Sequence, residues 1–174
     1  TLSEGDEVVS MQLTSQGEYV LVASEFGYGK LTDVNEFSAQ RRGGKGIMGL
    51  STREEDNVKN LLITSSHSKI LFITNFGRVY SLKGYEIPEY SRQSKGLPII
   101  NLLNMEQGEC VTSLLNGSAD GDAKYLVFAT KSGLIKRTEV SEFYNIRANG
   151  KKFITLRDDD ELISVKNTNG ECDI

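Results

Sequence analysis

Residues 19–32 read YVLVASEFGYGKLT, and this stretch recurs twice further along the chain. The second copy is ILFITNFGRVYSL at residues 70–82, and the third is YLVFATKSGLIKRT at residues 125–138. Each copy holds a short run rich in β-branched and aromatic residues, then a glycine, then a second such run. The runs are too short for helices, so the pattern predicts three β-hairpins that turn at Gly27, Gly77 and Gly133.

The hairpins belong to a longer repeat, in which the turn glycines are 50 and 56 positions apart. A polar or acidic residue and an apolar run lead into each copy, at residues 6–9, 56–58, 108–111 and 160–163. We expect one domain over residues 1–174, with repeat units at 5–54, 55–107 and 108–158 and a partial unit at 159–174. The lead run, the two hairpin runs and a short tail such as 47–50 would give four strands per unit, which is typical of a propeller blade. The predicted fold is all-β: a propeller-like array of about three four-stranded blades plus part of a fourth.

Cysteine, histidine and hydropathy patterns exclude several classes of protein. Cys110 and Cys172 form no short-spaced pair and His67 is the single histidine, so neither a zinc site nor a disulfide framework is expected. We predict no metal and no cofactor. The longest apolar runs fall short of the roughly 18–20 residues that a membrane span requires, and no signal peptide is evident. The sequence therefore predicts a soluble, cytoplasmic protein with no membrane partner.

The charge is distributed unevenly along the repeat. The whole chain has a net charge of −4. Residues 25–46, 75–96 and 131–152 nevertheless hold 14 basic and 7 acidic residues, whereas the remaining positions hold 6 basic and 17 acidic residues. One recurring part of each unit is therefore cationic, which indicates a binding edge for a polyanion on a body that otherwise repels it.

The densest basic segment is QRRGGKG at residues 40–46, and weaker versions follow the other hairpins at 92–96 and 147–151. Arginine and lysine among glycines can approach a phosphate backbone closely, although one such loop alone could equally be a solvated turn. Three basic loops at equivalent places favour one continuous cationic surface. The residues predicted to form this surface are Lys30, Gln40, Arg41, Arg42, Gly43, Gly44, Lys45, Gly46, Arg78, Lys83, Arg92, Lys95, Lys136, Arg137, Arg147, Lys151 and Lys152.

QRRGGKG at residues 40–46 resembles, at all seven positions, the signature box of the C-terminal domain of the DNA gyrase A subunit. Supporting phrases at 78–83, 96–103 and 133–138 are similar to the same family. The resemblance implies a β-pinwheel, which is a propeller with hairpin-exchanged blades, and a role in wrapping duplex DNA. The residues of the cationic surface would then be the DNA contacts, and the DNA would be read through its backbone and deformability. It further implies a place in the gyrase heterotetramer with the B subunit, where the wrap supports ATP-dependent negative supercoiling near the nucleoid. The catalytic tyrosine and the ATPase site would then lie outside this chain, which would not be an enzyme by itself.

Two other functions remain open at this point. The A-type C-terminal domain of topoisomerase IV shares the blades, but its box is typically degenerate, so the intact box favours gyrase. A propeller-like protein-interaction module would instead bind an acidic partner with the same basic edge. The spacings assemble no nucleophile, base and oxyanion-donor set, which argues against an enzyme.

Overall fold

Eleven β-strands and five short 3-10 helices make up the protein in a computed structural model that describes residues 5–52, 56–117 and 123–171. The strands are Tyr19–Ser24 (β1), Tyr28–Asp33 (β2), Val58–Thr64 (β3), Lys69–Thr74 (β4), Arg78–Lys83 (β5), Leu97–Pro98 (β6), Val111–Asn116 (β7), Tyr125–Thr130 (β8), Ile135–Glu139 (β9), Lys151–Lys152 (β10) and Leu162–Thr168 (β11). The 3-10 helices are Thr14–Gln16, Val34–Glu36, Gly84–Glu86, Ile99–Asn101 and Val140–Phe143. The all-β prediction is confirmed. Cys110 is exposed, whereas Cys172 and the boundary between residues 54 and 55 lie outside the described ranges.

The three predicted hairpins are present as β1–β2, β4–β5 and β8–β9. At the first turn, Gly27 has φ +80° and its N–H donates to the carbonyl oxygen of Ser24 at 3.1 Å. Gly77 and Gly133 close their turns in the same way, with φ +72° and +87°. These positive φ values are left-handed conformations that glycine adopts without steric cost, which explains why a glycine recurs there.

The blades are assembled from two successive repeat units. The first sheet has the order β3-β1-β2-β6, the second β10-β5-β4-β7 and the third β11-β8-β9. Each sheet thus contains one hairpin together with the lead strand that follows it in the next unit. The expectation that each unit supplies its own four strands is wrong, because residues 6–9 and 47–50 form no strand. In addition, β6 pairs with β2 and β10 with β5, each in the hairpin of the preceding unit.

The second sheet is buried on both faces. Ile70 and Phe72 of β4 pack into a core shared with the first sheet, whereas Leu71 and Ile73 pack into a core shared with the third. Successive side chains of a strand point to opposite faces, so a strand between two sheets needs apolar residues at every position. This location explains the unbroken apolar run ILFI at residues 70–73.

Candidate nucleic-acid interface

Three basic loops follow the three hairpins, and two of them occupy equivalent places on the fold. We call residues 40–46 loop 1, residues 91–96 loop 2 and residues 147–152 loop 3. Loop 2 leads into β6, where Leu97 pairs with Gly29 of β2. Loop 3 ends in β10, where Lys152 pairs with Arg78 of β5. Each of these loops therefore lies along the outer strand of the preceding blade, so basic residues are placed at the same edge of two successive blades.

Loop 2 is held in place from inside by Lys30 of β2, which is fully buried. The Lys30 Nζ donates hydrogen bonds to the carbonyl oxygens of Ser91 at 2.6 Å, Arg92 at 2.7 Å and Ser94 at 2.9 Å. Burial lowers the pKa of Lys30 below its ordinary value, and the Glu36 carboxylate partly offsets that shift. The prediction that Lys30 lies on an exposed DNA-facing edge is wrong, because its ammonium group is engaged inside the protein.

Loop 3 is held by Tyr80, which occupies in β5 the position that Lys30 occupies in β2. The Tyr80 hydroxyl donates to Glu109 Oε2 at 2.7 Å, and burial together with this hydrogen bond raises the pKa of Tyr80 above its ordinary value. Next to the loop, Ser81 Oγ donates to the carbonyl oxygen of Ile146 at 2.7 Å. The two loops are thus fixed by different chemistry. The Lys30 ammonium group binds carbonyl oxygens of loop 2, whereas the Tyr80 ring lies against loop 3.

Close packing against Tyr80 makes Gly150 of loop 3 sensitive to substitution. A Cβ at Gly150 would lie 2.4 Å from the Tyr80 ring, and its φ is +70°. We expect Gly150→Ala to lower the free energy of unfolding by about 1–2 kcal/mol more than Gly43→Ala does, because added atoms force the packed ring to move. Gly43 is the matched control, since it has a φ of +83° and a Cβ added there would have no atom within 4 Å beyond the residues next to it in the chain. Equal effects of the two substitutions in urea denaturation would contradict this packing.

Loop 1 is exposed along its whole length. It turns through a hydrogen bond from the Gly44 N–H to the carbonyl oxygen of Arg41 at 2.9 Å. The chain then returns to the first sheet, where Leu50 packs in a cluster with Val20 and Val22. Past the loop, the Ser51 N–H donates to the carbonyl oxygen of Ser94 at 3.3 Å, so the segment that follows loop 1 runs beside loop 2.

Among the other predicted contacts, most side chains are exposed, and several already have intramolecular partners. Arg78 and Arg92 are half-buried; Arg78 pairs with Glu106, while the Arg92 Nη1 donates to the carbonyl oxygen of Met48 at 3.4 Å. Lys136 donates to the carbonyl oxygen of Phe153. The exposed predicted residues are Gln40, Arg41, Arg42, Gly43, Gly44, Lys45, Gly46, Lys83, Lys95, Lys136, Arg137, Arg147, Lys151 and Lys152.

Two exposed cations of the third unit lie over aromatic rings. The Arg137 guanidinium is 4.5 Å from the centre of the Tyr125 ring, and the Lys151 Nζ is 5.2 Å from the centre of the Phe153 ring. Lys151 also has the Glu142 carboxylate at 4.0 Å. These contacts orient the cations towards their own sheet but leave them accessible to a ligand.

The residues that position the loops were not predicted from the sequence. The Lys69 Nζ donates to the carbonyl oxygens of Phe143 at 3.0 Å and Tyr144 at 2.6 Å, and so supports the segment that enters loop 3. Burial lowers the pKa of Lys69, and the neighbouring Lys83 lowers it further. Lys69 precedes the apolar run at residues 70–73, and a lysine at such a place extends its stem along apolar surface and its ammonium group towards polar atoms.

Within the described ranges, no helix is long and apolar enough to cross a membrane.

The family comparison agrees with this arrangement of strands. A family model described as "DNA gyrase C-terminal domain, beta-propeller" matches residues 18–65, 68–115 and 124–169. The chain belongs to this family. Each matched segment contains one hairpin and the lead strand of the next unit, so the unit of the family is the blade seen in the structure.

Relatives and solved structures of the family support this membership. The chain is 46% identical over 172 residues to the DNA gyrase A subunit of Streptococcus pneumoniae serotype 4, covering 97% of this chain and 21% of that protein. The chain therefore spans about a fifth of the length of the curated relative. A solved gyrase A C-terminal domain superimposes with a TM-score of 0.68 and 28% identity, covering 86% of this chain and 47% of the other. The C-terminal domain of DNA topoisomerase IV superimposes with a TM-score of 0.70 and 22% identity, covering 87% and 46%, and shows the shared fold.

Proposed function

We propose that this domain binds duplex DNA along the outer edge of its blades and bends it, as the C-terminal part of a DNA gyrase A subunit. The observation that supports the proposal is the placement of loops 2 and 3 at equivalent positions on successive outer strands. Basic groups at regular intervals along a curved edge suit a phosphate backbone that follows the edge. The exposed box of loop 1 adds three cations, and the segment that follows it runs beside loop 2.

The contacts proposed for the DNA are to phosphates rather than to base edges. Lysine and arginine side chains on loops neutralise phosphates and release counterions, which gives affinity without sequence preference. Bending a site of 20–30 base pairs by 40–90° costs about 1–6 kcal/mol, so several phosphate contacts must offset it. A repeated basic edge supplies several contacts, whereas one loop would not.

In the whole enzyme, the bent DNA would support ATP-dependent negative supercoiling. The proposed partners are double-stranded DNA, the B subunit and the remainder of the A polypeptide. The last two are the other parts of the heterotetramer, which would act at the nucleoid. The catalytic tyrosine and the ATPase site would lie in those other parts. This domain would therefore contribute no bond-breaking chemistry of its own and needs no cofactor or metal.

A DNA-bending assay tests the proposal directly. A duplex of about 40 base pairs is much shorter than the ~150 base-pair persistence length and is nearly straight when free. With a fluorophore at each end, energy transfer is expected to rise when the domain is added and to fall again as salt is raised. Binding without a rise in energy transfer would contradict bending, and an absence of binding would favour a module that binds an acidic protein.

A further inference from the structure

A cavity of about 400 Å³ lies beside the turn of the second hairpin, and two cations line it. Arg78 and Lys152 are direct partners in the β5–β10 ladder. Residues directly opposite each other in an antiparallel pair have their Cβ atoms about 4.5–5.5 Å apart, and like charges at such positions repel. The paired cations therefore favour an anion between or above them. The same place on the first sheet holds Tyr28 opposite Pro98 and has no such charge.

In the protein alone, the anion that faces Arg78 is the carboxylate of Glu106. Arg78 Nη1 donates a hydrogen bond to Glu106 Oε1, while Arg78 Nε is buried and has no hydrogen-bond partner among the described residues. The Glu106 side chain is 61% exposed, so water and ions reach this pair. An ion pair that is open to solvent on the carboxylate side contributes little free energy, so a phosphate can replace the carboxylate.

Glu106 is nevertheless held at this position through its backbone. The Glu106 N–H donates to Oε2 of the buried Glu109 at 2.8 Å, and the other Glu109 oxygen accepts from Thr74 Oγ1 at 2.5 Å. The Tyr80 hydroxyl donates to the same Glu109 Oε2. The core of the second sheet thus fixes the turn that places the Glu106 carboxylate on Arg78.

The second carboxylate at the cavity, Asp160, is already engaged by the third hairpin. Its two oxygens accept hydrogen bonds from the N–H of Ser132 at 2.9 Å and from Ser132 Oγ at 2.5 Å. The hydrogen bond from the Ser132 side chain lowers the pKa of Asp160 to about 2, so this carboxylate stays ionised near neutral pH. Asp160 therefore maintains the turn, and Glu106 is the carboxylate paired with Arg78.

We propose that Arg78 and Lys152 form a phosphate-binding site on the DNA path, and that Glu106 is an internal competitor which a DNA phosphate displaces from Arg78. This inference rests on the proposed function. It assigns to Glu106 a role that weakens DNA binding, whereas the other proposed residues strengthen it. A phosphate accepts two parallel hydrogen bonds from a guanidinium, and the nearby ammonium group of Lys152 would add a second positive charge. Displacement frees Glu106 into solvent, which its exposure allows.

Glu106→Gln is the test of this competition, with fluorescence-detected binding to the 40 base-pair duplex over a series of KCl concentrations. We expect affinity at 0.1 M salt to rise about 2- to 5-fold, the range that corresponds to an exposed ion pair. The slope of log affinity against log salt is expected to steepen by up to about 0.9, because in the unsubstituted protein the displaced Glu106 carboxylate takes up a cation that offsets one counterion released from the DNA. The thermal midpoint should change little, because the Glu106 backbone and the buried Glu109 remain.

Glu25→Gln is the matched control, since it removes one exposed carboxylate that pairs with Lys59 at 3.9 Å, a lysine outside the proposed DNA contacts. Equal tightening by both substitutions would mean that only net charge matters and would overturn the proposal. In an Arg78→Gln background, Glu106→Gln should lose most of its effect, and a full effect there would also overturn it. If the unsubstituted domain binds DNA and Glu106→Gln changes nothing, this competition is wrong while the proposed function stands. If no variant binds DNA, the proposed function itself fails.

Discussion

Lys30→Met is expected to lower the free energy of unfolding by about 2–4 kcal/mol, because three carbonyl oxygens of loop 2 lose their shared donor. Those oxygens belong to Ser91, Arg92 and Ser94, and the methionine keeps most of the volume of the lysine stem. The loss should appear as a lower urea midpoint with an unchanged m-value. Hydrogen exchange should also accelerate at the backbone of loop 2.

Lys95→Met provides the control within the same loop. Lys95 is exposed, so removal of its charge should change stability by no more than about 0.5 kcal/mol. The two variants have the same net charge, but one loses a buried ammonium group and the other an exposed one. Equal stability of Lys30→Met and Lys95→Met would contradict the internal role of Lys30. Any loss of DNA binding in Lys30→Met should therefore be attributed to a displaced loop 2, not to a lost phosphate contact.

The hairpins could be predicted from the sequence because their determinants are local. Each turn depends on a glycine in the left-handed conformation, namely Gly27, Gly77 or Gly133, and each flanking strand depends on a run rich in β-branched residues. These determinants lie within about a dozen residues of one another. Nothing further along the chain is needed to place these turns. The same locality explains why the basic loops were found, since charge and glycine content are also short-range properties.

The exchange of strands between units could not be derived from the spacing of the repeat. The lead runs recur at nearly the same spacing as the hairpins, so the spacing does not say whether a lead strand pairs with the hairpin of its own unit or with that of the preceding unit. Pairing is decided by chain geometry, since β3 follows β2 and folds back onto the free edge of β1. Here the resemblance to a hairpin-exchanged family added information that periodicity lacked.

The error at Lys30 has a similar origin. Counting charges in a window treats every lysine as exposed, but a strand residue points to whichever face its register dictates. Lys30 is flanked by the buried Gly29 and Leu31 and equivalent to the buried Tyr80. Aligning the copies by the turn glycine places Tyr80 at this position in the second copy but the exposed Lys136 in the third, so the repeat alone does not indicate that Lys30 is buried. Its burial depends on loop 2, whose carbonyl oxygens accept from its ammonium group.

Replacing Arg41, Arg42 and Lys45 together with alanine is expected to weaken DNA binding on the order of 10²-fold at 0.1 M salt. Each lost phosphate contact should make the slope of log affinity against log salt shallower by up to about 0.9, because fewer counterions are released on binding. Sequence preference should not change, since these cations are expected to contact phosphates and not base edges. The measurement is a salt titration of affinity on two duplexes of unrelated sequence.

The control for this prediction replaces Lys59, Lys124 and Lys166 with alanine. These three lysines are also exposed but lie on β3, next to β8 and on β11, away from the basic loops. Both triple variants change the net charge by the same amount, so long-range attraction is reduced similarly and only local contacts differ. A steep loss for the loop 1 variant with a small loss for the control would place loop 1 on the DNA path. Equal losses would instead mean that the domain attracts DNA through its overall field, in which case the box would have a different role in this family.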